Sequence, residues 1–343
     1  MKLKLLQKQL AQQGLDAVLI LNSNSIDPNL FYFTGMELER AALLMKRNSA
    51  TLFVPKLEVW RAEKESVIKN VVELPKKLEE FSKKYLFGNV GANLEFISAN
   101  SAKKLRGKNA KLADASKLIS KLREVKTEEE TARIRKACGI SDEIIAGCIS
   151  EFRKFRSEGD AKKWLKKATI DKGCELSFSP IVASGKNAAL PHYSGEEKLR
   201  KGFCVIDFGV KYDGYCSDTT RTIFIGKPTE KEKLLYKTLL NCQEATSAVA
   251  QAGTNMEELE NFSRKYLGSL EKQFIHRLGH SVGIEVHDPL EKTTKLEEGM
   301  VVTIEPGVYF KGNLGIGIED TVLVKKGRCE NLTKVPKELH ITL

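Results

Sequence analysis

Two aspartates, Asp207 and Asp218, flank a turn signal in FCVIDFGVKYDGYCSDTTRTIFIG, residues 203–226. Runs rich in strand-forming residues lie on both sides of Asp213-Gly214, a dipeptide that strongly predicts a two-residue hairpin turn. With the turn there, Asp207 lies opposite Thr220, and Asp218 is its diagonal neighbour on the same face, roughly 7–8 Å away at the backbone. Because aspartate is disfavoured in strands, two on one hairpin face indicate a function.

A second pair of acids repeats this arrangement. Glu305 and Glu319 lie in two β-like runs at equal distances from Gly312, so a hairpin turning in KGNLG sets their carboxylates side by side. A single acid of this kind is more often a solvated strand residue, but four converging carboxylates repel one another and are costly to desolvate. Two divalent cations would balance the four charges, as in centres where carboxylates bridge metals about 3.5–4 Å apart.

Three of the five histidines, His276, His280 and His287, fall within twelve residues, and His192 and His340 complete the set. The first two have the spacing of the helical zinc motif that begins with His-Glu. No Glu follows His276, however, and glycines at positions 279 and 283 disfavour a helix. His280 is a candidate for the one nitrogen ligand of the four-carboxylate site, because a histidine without such partners is more often structural.

Composition describes a globular protein that works neither on nucleic acid nor in a membrane. The 343 residues allow two domains, and no apolar run is long enough to span a bilayer. The start, MKLKLLQKQLAQQG, predicts an amphipathic helix and no signal peptide. The net charge of +11 comes from dispersed lysines mixed with glutamates, without interleaved aromatics. Scattered cysteines without a C-x-x-C pair predict reduced thiols in the cytoplasm: Cys138, Cys148, Cys174, Cys204, Cys216, Cys242 and Cys329.

The elements divide into two unlike halves. In the first half, LDAVLIL predicts a buried strand, FYFTGM a second strand and ALLMKRNSATLFVP a third, alternating with helices such as LEVWRAEKESVIKNV. This pattern indicates an α/β domain over residues 1–121. A capping box, Thr127 to Glu130, begins a long helix near the start of a second domain, residues 122–343, which holds every histidine and ends in strand-rich sequence.

These residues resemble the dinuclear metal site of the pita-bread metallopeptidases. This family includes Xaa-Pro dipeptidase (prolidase), aminopeptidase P, methionine aminopeptidase and the metal-free creatinase. The resemblance covers the whole chain and implies a creatinase-like α/β N-terminal domain with a central mixed sheet, followed by an α+β pita-bread catalytic domain. The stretches that carry it are VIDFGVKYDGYCSDTTRT, RLGHSVGIEVHDP, TIEPGVYF, IGIEDT, VASGKNAALPHY, LDAVLILNSNSIDPNLFYFTGM and LREVKTEEETARIRKA.

The resemblance implies a role for each matching residue. Asp207 would ligate one metal ion, Asp218 and Glu319 would bridge two, His280 would supply nitrogen, and Glu305 would both ligate and shuttle a proton. The ions would be Mn²⁺, Co²⁺ or Fe²⁺, with Zn²⁺ as an alternative.

The implied reaction is hydrolysis of an Xaa-Pro bond, in a dipeptide or at the amino end of a short peptide. A hydroxide that bridges the two metal ions would attack the scissile carbonyl. His192 and His287 would stabilise the tetrahedral intermediate by hydrogen bonds to its oxygen, whereas His276 matches no catalytic position and is expected to be structural. The resemblance also implies a homodimer, in which an N-terminal domain borders the partner's active site.

One departure concerns specificity. Prolidases and aminopeptidase P usually carry Arg two residues before the last metal-binding Glu, and Gly317 stands at that position. That Arg helps prolidases bind the free carboxylate of a dipeptide; Lys311, Arg277 or a residue of the partner subunit could replace it. An aminopeptidase of broader specificity therefore stays open. So do creatinase-like hydrolysis without metal and a catalytically inactive pita-bread binding protein, although the complete ligand set disfavours both.

Overall fold

The computed structural model describes residues 2–23, 25–107 and 109–342. Its backbone forms two compact units, Met1–Arg123 and Glu124–Leu343. None of the described helices combines the length and the apolar character that a membrane span needs. The described cysteines are all unpaired.

The first unit is built on a six-stranded mixed sheet. Its elements are α1 (Lys2–Gln12), β1 (Ala17–Asn22), α2 (Pro28–Thr34), β2 (Ala41–Lys46), β3 (Ser49–Val54), α3 (Val59–Glu65), β4 (Val71–Glu73), α4 (Leu78–Tyr85), β5 (Gly88–Ala92), α5 (Ala99–Leu105), β6 (Ala110–Asp114) and α6 (Ser116–Glu124). The strand order in the sheet is β4-β3-β2-β1-β5-β6. The pairs β1–β2 and β2–β3 are antiparallel, whereas β1–β5, β3–β4 and β5–β6 are parallel.

Strand β1 explains why the central sheet is visible in the sequence. All six of its residues are buried, because the sheet carries a core on each face. Val18 and Ile20 pack into one core, and Leu19 and Leu21 pack into the other. A strand buried on both faces reads as a continuous apolar run, which is how LDAVLIL appears.

The prediction of a strand at FYFTGM is wrong. The segment Pro28–Thr34 is helix α2, and it ends at Gly35, which has a φ of 72°. Asp27 is the N-cap, with its side chain accepting a hydrogen bond from the Asn29 backbone, and proline occupies the first helical turn. Asp-Pro before the aromatic run is a helix-start signal, and it outweighs the strand preference of Phe and Tyr.

The second unit contains four α-helices and several short sheets among the described residues. The long helix α7 (Glu128–Glu151) begins with the predicted capping box, in which Thr127 and Glu130 exchange hydrogen bonds. The elements are α7 (Glu128–Glu151), α8 (Glu158–Asp171), β7 (Glu175–Leu176), β8 (Ile181–Ser184), β9 (Gly202–Phe208), β10 (Val210–Tyr212), β11 (Tyr215–Cys216), β12 (Thr219–Ile225), α9 (Glu230–Val249), α10 (Met256–Leu267), β13 (Val301–Ile304), β14 (Gly307–Phe310), β15 (Leu314–Gly317), β16 (Asp320–Leu323), β17 (Glu330–Asn331) and β18 (Ile341–Thr342).

The first predicted hairpin has the predicted register. Tyr212 pairs with Tyr215 across the turn, and Asp207 pairs with Thr220 further along the same hairpin. The turn residues have positive φ values of 47° at Asp213 and 78° at Gly214. Such a turn matches the twist of the flanking strands, and for this reason the dipeptide predicts the register.

The second predicted hairpin is also confirmed, in two consecutive ladders. Near the turn, β14 pairs with β15, with Phe310 opposite Leu314 around Gly312. Further from the turn, β13 pairs with β16, with Ile304 opposite Asp320. The pairing keeps a single register through both ladders, so the glutamates that lie between the ladders are brought to the same level.

Candidate metal centre

The four acidic residues lie at or beside interruptions in the strand ladders. Asp207 is near the end of β9, and Asp218 lies between β11 and β12. The interruption depends on Gly209, because a Cβ at that position would stand 2.0 Å from the backbone oxygen of Ser217. The backbone at Gly209 therefore passes very close to the backbone at Ser217, and the next residue, Asp218, lies outside the paired strands.

Glu305 and Glu319 occupy the corresponding interruption of the second hairpin. Glu305 lies between β13 and β14, and Glu319 lies between β15 and β16. The Glu319 backbone N–H donates to the Thr220 carbonyl at 3.1 Å. This bond joins the two hairpins, because Thr220 is the residue that pairs with Asp207.

His280 connects the acids. Its Nε2 lies 3.4 Å from Asp218 Oδ2 and 3.3 Å from Glu305 Oε1. Its Nδ1 lies 3.1 Å from the Ser281 carbonyl oxygen, which can only accept, so Nδ1 carries the proton and Nε2 faces the carboxylates. The Thr303 hydroxyl also donates to Glu305 at 2.9 Å.

Hydrogen bonds and cations among the described residues offset the burial of these acids only in part. Burial, reinforced by the charge of Asp218, raises the pKa of Asp207 and of Glu319 well above the usual range. Burial also raises the pKa of Glu305 to about 7. Burial would lower the pKa of His280, but the neighbouring Asp218 and Glu305 raise it to about 9.

Three carboxylate oxygens of the site have no hydrogen-bond partner among the described residues. They are Asp207 Oδ1, Asp218 Oδ1 and Glu319 Oε1, all of them buried. Ligand atoms of Asp218, His280 and Glu319 lie within 4.8 Å of one another. Buried carboxylates are normally paired or bound to metal, so these residues fit a divalent cation well.

The acids and four of the five histidines share one cavity of about 740 Å³. The rings of His280 and His287 are 4.2 Å apart at their centroids. His192 also lines the cavity, on the segment that follows β8. The structure thus brings together every residue assigned to the site from the sequence: His192, Asp207, Asp218, His280, His287, Glu305 and Glu319.

Two further residues of the cavity wall were not identified from the sequence. His276, expected to be only structural, lines the cavity, and its buried Nε2 has no hydrogen-bond partner among the described residues. Its ring packs on Tyr309, with centroids 5.4 Å apart. Burial, together with the charges of Glu305 and Asp207, raises the pKa of Tyr309. The alternation of a strand could have indicated Tyr309, since it lies four residues after Glu305.

Gly317 lies in β15 opposite Gly307. A Cβ at Gly317 would stand 3.1 Å from the Thr220 methyl group and 3.7 Å from the Tyr309 hydroxyl. A side chain at this position would therefore begin beside a residue of the cavity wall. Gly317 itself contributes no charge, but two cationic side chains, those of Arg277 and Lys292, line the cavity.

Comparison with known families identifies the class to which this fold and site belong. Metallopeptidase family M24 matches residues 132–326, and the Creatinase/Prolidase N-terminal domain matches residues 2–125. The chain therefore belongs to metallopeptidase family M24, and its first unit is a creatinase/prolidase N-terminal domain. The family and the two-domain fold class predicted from the sequence are confirmed.

Individual relatives are similar over nearly the whole chain. The Xaa-Pro dipeptidase of Pyrococcus horikoshii is 35% identical, with 98% of each chain covered. The crystal structure of the prolidase from the same organism matches with a TM-score of 0.90 at 34% identity, covering 98% of this chain and 99% of that one. The X-Pro aminopeptidase of Thermotoga maritima matches with a TM-score of 0.88 at 29% identity, covering 96% and 98%.

Proposed function

We propose that this chain is a metal-dependent peptidase that hydrolyses Xaa-Pro bonds, either in dipeptides or at the amino end of short peptides. The observation that carries the proposal is the convergence of four acids and a histidine on one cavity, with three buried oxygens that lack a donor among the described residues. Relatives called Xaa-Pro dipeptidase and X-Pro aminopeptidase support the choice of bond.

Two divalent cations are proposed for the site. Their ligands would be Asp207, Asp218, His280, Glu305 and Glu319, with Asp218 and Glu319 shared between the ions. Bound there, the cations would lower the pKa of a water molecule and polarise the scissile carbonyl. The oxygen-rich ligand set favours Mn²⁺, Co²⁺ or Fe²⁺, and Zn²⁺ is an alternative.

The side chains around the site would position the substrate and move the proton. Glu305, held by Thr303 and His280, would accept a proton from water and pass it to the leaving nitrogen, which in proline is a secondary amine. His192 and His287 lie in the wall of the same cavity. They would donate hydrogen bonds to the oxygen of the tetrahedral intermediate.

The proposed substrate range extends beyond dipeptides. Gly317 provides no guanidinium for the terminal carboxylate of a dipeptide, so selection against longer peptides would be weakened. Among the described residues, Arg277 makes no ion pair, whereas Lys292, the other cation of the wall, pairs with Glu257 at 2.8 Å. Arg277 is therefore the better candidate to replace the missing Arg. An aminopeptidase of broader specificity is the second candidate function, and the same glycine favours it.

Assembly and cellular location are proposed on separate grounds. We propose a homodimer, because Leu57 and Trp60 of the first unit are 89% and 75% exposed, and large exposed apolar side chains favour a subunit contact. The unpaired cysteines support a reducing compartment, the cytoplasm.

A metal-supplemented peptidase assay tests the proposed function. The protein is assayed with Mn²⁺ or Co²⁺ on an Xaa-Pro dipeptide, an Xaa-Pro-Yaa tripeptide and an Xaa-Ala dipeptide as control. Cleavage of both proline substrates, with little cleavage of the control, is expected. Cleavage of all three would indicate the broader aminopeptidase. Bound metal without any hydrolysis would indicate an inactive binding protein, and hydrolysis that survives chelation would indicate metal-free chemistry.

A further inference from the structure

A buried ion pair joins the histidine segment to the residues just before α7, and its acid, Asp288, lies in the cavity wall. The Lys126 ammonium is 3.2 Å from Asp288 Oδ2, and both side chains are only 1% exposed. Lys126 also donates to the Ser281 hydroxyl at 2.9 Å. Lys126 lies just before α7, more than 150 residues away from both partners in the sequence. A single buried cation therefore contacts the residue after His280 and the residue after His287.

The two contacts converge on the Ser281 backbone. The Asp288 N–H donates to the Ser281 carbonyl at 2.9 Å, and the His280 Nδ1–H donates to the same oxygen at 3.1 Å. The Ser281 hydroxyl, which accepts from Lys126, donates in turn to the Val301 carbonyl. Lys126 therefore binds the side chains of both Ser281 and Asp288, and these two residues form and hydrogen-bond the carbonyl that orients the His280 ring.

The segment between the two histidines contains no helix or regular strand, and its backbone pairing includes isolated bridges of Ser281 with Asp288 and with Val302. It closes tightly on itself, because a Cβ at Gly283 would stand 2.4 Å from Asp288 Oδ2. A carboxylate so deeply buried requires a cation and hydrogen bonds to stay in place. If Lys126 were lost, Asp288 would move toward water and shift both ends of the segment.

We propose that Lys126 is a positioning residue that fixes His280 and His287 in the cavity through Ser281 and Asp288. The inference rests on the proposed function, since it takes His280 as a metal ligand. Residues that orient a ligand from behind commonly change metal affinity or activity by about 10- to 100-fold when they are replaced. Lys126 acts one contact further away, so about a tenfold effect is expected.

The test measures Co²⁺ affinity, which does not depend on peptidase activity. Co²⁺ binding to the full-length protein is followed by equilibrium dialysis and by the visible absorption of the bound ion. Lys126→Met should weaken binding about tenfold, alter the absorption spectrum and lower kcat at saturating Co²⁺. Thr127→Ala is the matched control, because it weakens the adjacent helix cap and touches neither Ser281 nor Asp288. It should lower Tm and leave Co²⁺ affinity unchanged.

Two further variants separate positioning from folding. Lys126→Met/Asp288→Asn removes both charges of the pair. Ser281→Ala keeps both charges but removes the hydroxyl between Lys126 and the His280 segment. Both should also bind Co²⁺ more weakly than the native protein. Folded variants with native Co²⁺ affinity, spectrum and kcat would overturn the inference. A native protein that binds no Co²⁺ would instead overturn the proposed metal centre.

Discussion

At the scale of single residues, the two carboxylate oxygens of Glu319 and of Asp218 have different surroundings. Glu319 accepts a hydrogen bond from Thr220 through Oε2, while its Oε1 is buried without a donor among the described residues. Asp218 likewise faces His280 through Oδ2, and its Oδ1 has no such donor. Each side chain therefore has one oxygen held by the protein and one left for another ligand.

The first prediction concerns these two acids. Asp218→Ala or Glu319→Ala should reduce hydrolysis to background and leave fewer than two metal ions per chain, because each side chain is proposed to bridge the ions. Metal content by mass spectrometry and turnover on an Xaa-Pro dipeptide are the measurements. Glu175→Ala, an exposed acid on β7, is the control and should change neither. Two bound ions with near-native turnover in either variant would refute the ligand assignment.

The second prediction separates two histidines. His287→Ala should lower kcat about 10²- to 10³-fold with metal content unchanged, because it removes a hydrogen bond made to the transition state. His276→Ala should mainly raise KM, since His276 packs on Tyr309 in the wall of the cavity. His340→Ala is the control, as His340 is exposed. Equal losses of kcat in the first two variants would show that the roles are not separate.

The third prediction concerns Gly317. Gly317→Arg should raise kcat/KM for an Xaa-Pro dipeptide relative to its C-terminal amide by about one to two orders of magnitude, because the hydrogen bonds of an added guanidinium to a carboxylate are worth about 1.5–3 kcal/mol each. The Cβ needs only a small shift of the Thr220 methyl group, 3.1 Å away. Gly317→Ala controls for that shift.

A strong dipeptide preference already present with Gly317, and unchanged by the added Arg, would mean that another cation binds the carboxylate. Arg277→Ala should then lower the ratio of dipeptide to amide kcat/KM. Lys292→Ala should not lower it, because Lys292 is held by Glu257.

At the scale of elements, the site depends on where the hairpins stop pairing. The strand direction and register continue through each interruption, but the backbone between β11 and β12 leaves the ladder and approaches Gly209. Regular pairing would alternate side chains between the two faces. The interruption leaves Asp218 just outside the ladder on the face that the register predicts, and local departures of this kind are common beside active sites.

The fourth prediction tests this close approach. Gly209→Ala should destabilise the protein and weaken Co²⁺ binding, because its Cβ would overlap the Ser217 carbonyl oxygen at 2.0 Å. Gly139→Ala is a matched control in α7, where nothing lies within 4 Å of the added Cβ. It should raise the free energy of unfolding by about 0.5–1 kcal/mol and leave metal binding intact. Urea unfolding and Co²⁺ dialysis measure both effects, and native Co²⁺ affinity in Gly209→Ala would argue against the role of the interruption.

At the scale of the whole molecule, the described residues that line the cavity belong to the second unit. The first unit has its own sheet and two cores, one on each face. Its exposed Leu57 and Trp60 are therefore not needed to complete its own core, and they support the proposal of a subunit contact.

The fifth prediction concerns assembly. The native protein should be a dimer by light scattering, and Leu57→Lys with Trp60→Ala should shift it toward monomer, because the exposed apolar area is reduced. Ile170→Lys, which changes an exposed apolar residue of α8 in the second unit, is the control. If the native protein were a fully active monomer, its specificity would not depend on a dimer.

The sequence by itself determined the features that depend on local rules. The Asp213-Gly214 turn and the midpoint at Gly312 define the register of both hairpins, because strand pairing follows directly from the turn. The capping box at Thr127 is equally local. Local rules failed at Pro28–Thr34, where the aromatic run obscured the Asp27 cap. They also failed at residues 42–55, predicted as one strand, which form the antiparallel strands β2 and β3.

Tertiary structure alone decided what the remaining residues do. His276 and Tyr309 are joined in the cavity wall by the fold, which places the His276 ring against Tyr309 of β14. Lys126 reaches Ser281 across 155 residues of sequence. Contacts of this kind depend on how distant parts of the chain pack around a buried charge. Neither residue spacing nor local propensity predicts that packing.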